Sequence, residues 1–347
     1  MYIQVEKHTL RFIKPAKTSR GEYIEKTAYL LWIVTETFKV CGEASPLSDL
    51  SVDGKVDFSN IVQPYENQFL TFEDLHNLLE DWMPYPSLRF ALYSAILKAK
   101  FQANRIAIQQ PTKSQVWIEN EFTHGKEGMK INGLVWMNSI DAMYEEAIHK
   151  INAGFTCIKL KVGALDFDAE CRLIEKIRKQ FSPFKVEIRL DANGGFKNGD
   201  ALFQLEDLKR FNIHSIEQPI QANQLDLMQE ICAKSPIHIA LDEELIGIDV
   251  NNSLNLMKKI KPKYIILKPT LLGGFDFCDI WIQHAVSQNV GWWSTSALEG
   301  NIGLADIAQW VSAYKPTMPQ GLGTGSLFVK NFDPHTKVVG ETMFFLP

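Results

Sequence analysis

The stretch from Phe155 to Ala164 reads FTCIKLKVGA. Ile158, Leu160 and Val162 alternate with Lys159 and Lys161, so in a strand both ammonium groups point to one face. Lysine is seldom buried, and a surface strand with a solvated basic side would account for these residues taken alone. The neighbouring sequence decides between that reading and a functional one.

Downstream of INGLVWM, short apolar runs alternate with helical stretches such as SIDAMYEEAIHKINAG and AECRLIEKIRKQF. The runs are INGLVWM, CIKLKV, VEIRLD, HSIEQ, IHIALD, YIILK, VGWWST and MPQGLG, eight strands in βα repetition. Eight such strands predict a closed parallel barrel. An open doubly wound sheet would need a glycine-rich phosphate turn after its first strand, and none is present. Before this region the pattern differs. TLRFI, KTAYLLWIVTE and FKVCGEA predict an antiparallel meander, and LTFEDLHNLLEDW and SLRFALYSAILKAKF predict helices that pack on it as an α+β unit. The polar segment Gln109 to Gln115 is the predicted boundary, giving a cap over 1–115 and a barrel over 116–325, with a last segment over 326–347.

The charges fall in phase with these strands. Lys161, Asp191, Glu217, Asp242 and Lys268 close five successive strands, and the steps from Asp191 to Glu217, Asp242 and Lys268 are 26, 25 and 26 residues. A lone acid at a strand end is ordinarily a turn former or helix cap. Five charges in phase instead converge at the C-terminal mouth of a barrel, where such folds carry their sites. Lys159 and Lys161 then face into that mouth. Three carboxylates in a partly dry cavity repel one another and would take up protons without a cation between them, so a divalent metal is expected. Oxygen ligands without histidine or cysteine favour Mg²⁺. A lysine beside a dication and a second ammonium has its charged form disfavoured, which suits it to act as a base next to a carboxylate.

The formal net charge of -5, with dispersed lysines, argues against a nucleic-acid partner. AYLLWIV, from Ala28 to Val34, is too short to span a bilayer, so neither membrane nor export is indicated and a cytoplasmic location is expected. The five cysteines are widely spaced, without a CxxC pair, and predict neither a disulfide framework nor a zinc cluster. Nothing in the composition chooses between monomer and homo-oligomer.

KLK at Lys159–Lys161, DAN at Asp191–Asn193, EQP at Glu217–Pro219, LDE at Leu241–Glu243 and LKP at Leu267–Pro269 together resemble the enolase superfamily, muconate-lactonizing subgroup. The resemblance implies an α/β fold, a TIM-like (β/α)7β barrel, with an α+β capping domain formed by the N-terminal region and the C-terminal segment. It also implies that Asp191, Glu217 and Asp242 bind Mg²⁺, for which Mn²⁺ could substitute. Lys161 would take the proton α to the carboxylate of a small-molecule substrate and return it to a departing hydroxyl. Lys268 would steady the enediolate from the opposite face, and Lys159 would lower the proton affinity of Lys161. Asn193, Arg189, Ser294, Ser296 and Arg20 are the implied substrate contacts, and Lys14 to Glu22 and Ser45 to Gly54 look like the family's mobile lids.

Within the subgroup, STSALEGNIG from Ser294 and GLGTG from Gly321 are similar to members that dehydrate 2-succinyl-6-hydroxy-2,4-cyclohexadiene-1-carboxylate in menaquinone biosynthesis. The dipeptide epimerases carry a DxD pair where this chain has GLGTG. Three alternatives stay open. N-acylamino acid racemisation uses the same two lysines, muconate cycloisomerisation uses the same scaffold, and a metal-dependent carboxylate-binding protein would need no base at all.

Overall fold

The computed structural model describes residues 1–110 and 115–347. The predicted boundary at Gln109 to Gln115 therefore lies in part, over 111–114, outside the described residues. The chain opens with strands β1 (Tyr2–Thr18), β2 (Gly21–Val34) and β3 (Lys39–Ala44) in an antiparallel sheet of that order. β1 is far longer than TLRFI. Its register with β2 runs from Tyr2–Val34 to Arg11–Glu25, breaks at a bulge, and resumes from Ala16–Tyr23 to Thr18–Gly21. The hairpin tip at Ser19 and Arg20 thus projects well beyond the sheet, and Ser19 Oγ donates to the Ala192 carbonyl at 2.7 Å, at the mouth of the second domain.

The helix Pro86–Ala107 lies across this sheet. Its backbone approaches β3 so closely that a Cβ on Gly42 would stand 1.9 Å from the Ala91 carbonyl oxygen, which accounts for glycine there. The helix Phe72–Asp81 begins in a capping box in which Thr71 and Asp74 satisfy each other's backbone amides. Apolar residues from both helices and the sheet, among them Ile3, Leu31, Ile33, Leu75, Leu88 and Ile96, form the core of the cap.

Next comes the short β4 (Met129–Lys130), then β5 (Gly133–Val135), β6 (Cys157–Lys161), β7 (Glu187–Asp191), β8 (Ser215–Glu217), β9 (His238–Leu241), β10 (Tyr264–Leu267) and β11 (Gly291–Ser294). β5 to β11 pair in parallel, each with its sequence neighbour. Of the eight predicted strands, MPQGLG forms no regular strand; single bridges from Gln320 to Ile131 and from Gly321 to Thr295 tie it to both edges and close the barrel. Gly321 is placed there because a Cβ would meet the Thr295 side chain at 2.3 Å. The main core lies between the strands and the surrounding helices, with Ile158, Leu160, Ile188, Leu190, Ile216 and Ile265 fully buried.

The last segment serves both domains. Leu327 to Val329 runs antiparallel to β1, with Ile13 donating to Leu327 at 2.8 Å and Val329 to Arg11 at 2.9 Å. β12 (Thr336–Val339) and β13 (Thr342–Phe345) then turn away from the cap and pair with β4. The expectation that 326–347 returns to the cap needs that correction for its second half. Met343 and Phe345 are drawn to the barrel core by their apolar side chains. No helix among the described residues is long and apolar enough to cross a membrane.

Two ionic contacts, one half-buried and one fully buried, join cap helix to barrel. Arg89 donates to Asp276 at 2.9 and 2.7 Å and to the Gly273 carbonyl. Lys98 reaches Asp306 at 2.8 Å, both about 1% exposed, and also the Cys41 carbonyl. Removing one member of such a pair strands the other charge in the interior. Lys98→Met is expected to destabilise the chain by about 3–5 kcal/mol, and Lys98→Met with Asp306→Leu to recover most of that loss. Urea unfolding followed by tryptophan fluorescence measures both. A single variant as stable as the parent would show that the pair carries no such constraint.

Candidate active site

The lysines of CIKLK are buried, Lys159 at 6% and Lys161 at 7% exposure, which rules out a solvated surface strand. They face the barrel interior together because the strand places alternate residues on one side. In register, Lys159 stands beside Arg189, and Lys161 beside Asp191 and then Glu217. Asp242 and Lys268 follow the last paired residues of β9 and β10, completing a row at the C-terminal ends of the strands.

Within this row every acid meets a lysine. Lys161 Nζ lies 2.6 Å from Asp191 Oδ2 and donates to Asn193 Oδ1 at 2.8 Å. Lys159 Nζ bridges Asp191 at 2.9 Å and Glu217 at 3.0 Å, while Lys268 pairs with Asp242. A cavity at the mouth is lined by all three lysines and roofed by Arg20, Tyr23, Leu47 and Leu50 from the cap. The acids lie behind the lysines as seen from this cavity. Arg20, at the hairpin tip, pairs with Glu243 and approaches Asp49 at 3.4 Å, so the two predicted lid segments meet over the site.

The surroundings split the proton affinities of these groups. Burial lowers that of Lys161; Asp191 opposes this, and the Lys159 and Lys268 ammonium groups add to it, leaving Lys161 below the usual lysine range. Lys268 goes the other way: burial would lower it, but Asp242, Glu217 and Glu243 raise it above its ordinary value. Burial and then the Asp191 carboxylate push Glu217 up to about 8, despite Lys159. Asp191 resists burial and is held far below the carboxylate range by Lys159 and then Lys161. Lys161 thus gives up its proton more readily than an ordinary lysine and Lys268 less readily, a division that suits a base and a charge stabiliser.

Two predicted substrate contacts lie elsewhere. Arg189 sits one layer deeper in the barrel, its guanidinium 4.3 Å from the centre of the Trp293 ring, bonded to Glu187 at 2.8 Å and to the Pro319 carbonyl at 2.9 Å. It faces inward as expected, but two residues below Asp191 it fills the barrel and does not line the cavity. Ser294 is fully buried and donates to the Leu267 carbonyl at 3.0 Å, because its parity on β11 turns it from the interior. Ser296 does line the cavity, yet its hydroxyl is bound to Glu299 at 2.6 Å. Asn193 and Arg20 both line it. Residues the sequence reading passed over also line it: Asn132, Trp136, Thr295 and Thr324. Thr295 had a legible signal, since it follows Lys268 by 27 residues and continues the same phase.

Among the described residues no three acidic, histidine or cysteine side chains gather as they stand into a ligand shell. Ammonium groups hold the positions between the acids. The donor set nevertheless fits a hard divalent cation: three carboxylates end three adjacent strands, Glu217 is driven toward protonation by burial and then by the other acids, and the buried Glu243 Oε2 has no hydrogen-bond partner among the described residues.

The lysine-and-carboxylate barrel mouth under an α+β cap defines an enzyme of the enolase type, and comparison with known proteins agrees. Residues 142–338 match the family described as enolase C-terminal domain-like. The chain is 39% identical to an o-succinylbenzoate synthase from Desulfotalea psychrophila over 98% of each sequence. A crystal structure of MenC from Desulfotalea psychrophila covers 99% of both chains with a TM-score of 0.85 and 34% identity. A dipeptide epimerase from Enterococcus faecalis, solved with Mg and the dipeptide L-Leu-L-Tyr, shares the fold at a TM-score of 0.83 and 18% identity, over 100% of this chain and 96% of its own. The chain belongs to the enolase superfamily and, within it, to the family of the o-succinylbenzoate synthases.

If Glu217 helps hold a cation, Glu217→Gln should weaken Mg²⁺ binding by more than about tenfold, the smallest cost usually seen for losing a group that merely orients a ligand. The unfolding midpoint of the metal-free chain should fall little by comparison. Calorimetric titration with Mg²⁺ reads the first and thermal unfolding the second; unchanged affinity would remove Glu217 from the ligand set.

Proposed function

We propose that this enzyme is a hydro-lyase that converts 2-succinyl-6-hydroxy-2,4-cyclohexadiene-1-carboxylate to o-succinylbenzoate and water, a step of menaquinone biosynthesis. The observation that carries the reading is the near full-length match to an o-succinylbenzoate synthase. The hydrophobic dipeptide epimerase of Enterococcus faecalis, by contrast, matches only 39% of the chain at 28% identity.

Lys161, entering as the neutral amine favoured by its burial, takes the proton from the carbon that bears the ring carboxylate. The electron pair left behind spreads into the carboxylate as an enediolate. When it returns, the bond to the neighbouring hydroxyl breaks, and Lys161 gives its proton to that oxygen, so that the abstracted hydrogen leaves in water. One residue can serve both transfers only if the proton and the hydroxyl occupy the same face. Lys268, kept charged by Asp242 and Glu217, stands across the cavity as a fixed cation for the developing negative charge. Lys159 keeps Asp191 ionised, partly offsets the rise of Glu217, and adds positive field beneath Lys161. Asn193 orients the Lys161 amine through its 2.8 Å contact. Aromatisation supplies the driving force, so the residues have chiefly to lower the barrier to the enediolate. Mg²⁺, with Mn²⁺ as a substitute, held by Asp191, Glu217 and Asp242, would supply charge neutralisation at the substrate carboxylate when bound.

Racemisation of an N-succinylamino acid would use Lys161 and Lys268 as opposed bases on the same cavity. The GLGTG wall places no acid in the lining that would pair with a substrate amine, which suits either an acylated amine or the cyclohexadiene.

Lys161→Ala is expected to lower kcat for dehydration by at least about 10², the usual contribution of general acid–base transfer. Lys268→Ala should be impaired severely as well. Chelation should abolish activity and added Mg²⁺ restore it. Formation of o-succinylbenzoate, followed by its absorbance, tests all three, and kcat/KM for N-succinylamino acid racemisation is measured beside it. Lys161→Ala turnover within tenfold of the parent would remove Lys161 as the base, and a higher kcat/KM for racemisation would overturn the assigned reaction.

A further inference from the structure

The closed barrel divides its mouth into two halves. Lys161, Asp191, Glu217, Asp242 and Lys268 end the five consecutive strands β6 to β10. The remaining three segments lie side by side across the closure, since Gly321 bridges to Thr295 and Gln320 to Ile131. They bring Thr295, Thr324 and Asn132 to the same cavity. All three are neutral and nearly fully buried, at 3, 3 and 2% exposure.

Thr295 Oγ1, Thr324 Oγ1 and Asn132 Oδ1 have no hydrogen-bond partner among the described residues. Buried polar side chains are ordinarily paired, and each unpaired one asks for an explanation. Three unpaired oxygens, carried by residues of three separate segments that line one cavity, share a single explanation: the partner is a ligand. The neighbouring Ser296 shows the contrast, since its hydroxyl is bound to Glu299 and cannot serve in that way.

We propose that Asn132, Thr295 and Thr324 form the subsite that hydrogen-bonds the oxygens of the substrate's succinyl arm. The inference rests on the reaction proposed above and extends it to the part of the substrate that does not react. With the ring carboxylate and the leaving hydroxyl both directed to the charged half of the mouth, where Lys161 must reach them, the arm is the polar group left for the opposite wall. Its ketone and carboxylate oxygens are acceptors only, so the wall must donate. Two hydroxyls do so directly, and the Asn132 amide does so once turned about its terminal bond to present Nδ2. A neutral wall also suits the electrostatics. Another cation there would compete with Lys268 and the metal for the reacting carboxylate and favour a reversed binding pose.

Thr295→Val and Thr324→Val, alone and together, remove hydroxyls that bond to no described residue while preserving side-chain shape, so the fold loses no hydrogen bond. Calorimetry with Mg²⁺ present compares o-succinylbenzoate with benzoate, which lacks the arm. Each variant is expected to raise the Kd of o-succinylbenzoate by about threefold to tenfold, and the pair by more, as befits loss of neutral hydrogen bonds, with benzoate unchanged within about twofold. KM for the cyclohexadiene should rise in parallel, and Thr295→Ser, which keeps the hydroxyl, should bind like the parent. Equal weakening of both ligands, or of neither, overturns the subsite. A parent chain that does not form o-succinylbenzoate overturns the reaction and this subsite with it, whereas an active parent with indifferent valine variants overturns the subsite alone.

Discussion

Asp191 accepts from two lysines at once, Lys159 at 2.9 Å and Lys161 at 2.6 Å, and this shared carboxylate is what permits so many charges inside one barrel. Burying an unpaired ammonium costs several kcal/mol even after relaxation. A pair of opposite charges about 4 Å apart recovers about 4 kcal/mol at the effective dielectric of a protein. Lysines on β6 are therefore tolerable only because the acids of β7 and β8 stand beside them in register. The register is in turn set by the apolar residues on the other side of the same strands, which must all face the helices. A slip of one residue would turn Lys159 and Lys161 into the apolar layer and Leu160 into the site.

The cap depends on this arrangement as much as it covers it. Arg20 reaches the site because β1 and β2 continue past their bulge, and its contact with Glu243 draws the hairpin tip onto the barrel. From β3, Glu43 accepts from the Gly300 and Gly303 amides at 2.6 and 2.8 Å, where it meets the N-terminus of the helix Asn301–Ala313. Lys26 of β2 donates to the Leu298 carbonyl at 3.0 Å and to Ser45 at 2.8 Å. The loop that carries Thr295 and Ser296 into the cavity is thus held from the cap side, and Phe12, Leu47, Ala297 and Leu298 pack in one apolar cluster between the domains. A substrate in the cavity would be enclosed by two domains that are already bonded to each other at its rim.

Most of the charged half of the site could be read from the sequence, because charge at the end of an apolar strand is conspicuous and recurs every βα unit. The same conspicuousness misled. Arg189 shares the inward parity of Asp191, but periodicity says nothing of depth, and two residues along a strand is a full layer. Ser294 was implied by the family resemblance, whereas the phase running through Asp191, Glu217, Asp242 and Lys268 continues to Thr295. The neutral wall escaped notice because a threonine or asparagine at a strand end is ordinary until its neighbours are known to leave it unpaired. The length of β1 was hidden by polar residues alternating on an exposed face, and the eighth barrel segment is held by single bridges that need no strand-forming pattern.

The balance of charge at the mouth explains why the neutral wall belongs opposite the acids. Arg20, Lys159, Lys161 and Lys268 stand with Asp191, Glu217, Asp242 and Glu243, four basic groups with four acidic ones, and a proton moved from Lys161 to Glu217 leaves the sum unchanged, so the protein alone is close to neutral there. A divalent cation would add two positive charges, and a substrate with two carboxylates would cancel them. Such a site would admit metal and substrate together more readily than either alone, since each relieves the imbalance the other creates. Neutral donors on the remaining wall leave that balance untouched. They can select the substrate by the position of its oxygens while the charged half retains the proton affinities on which the lysines depend.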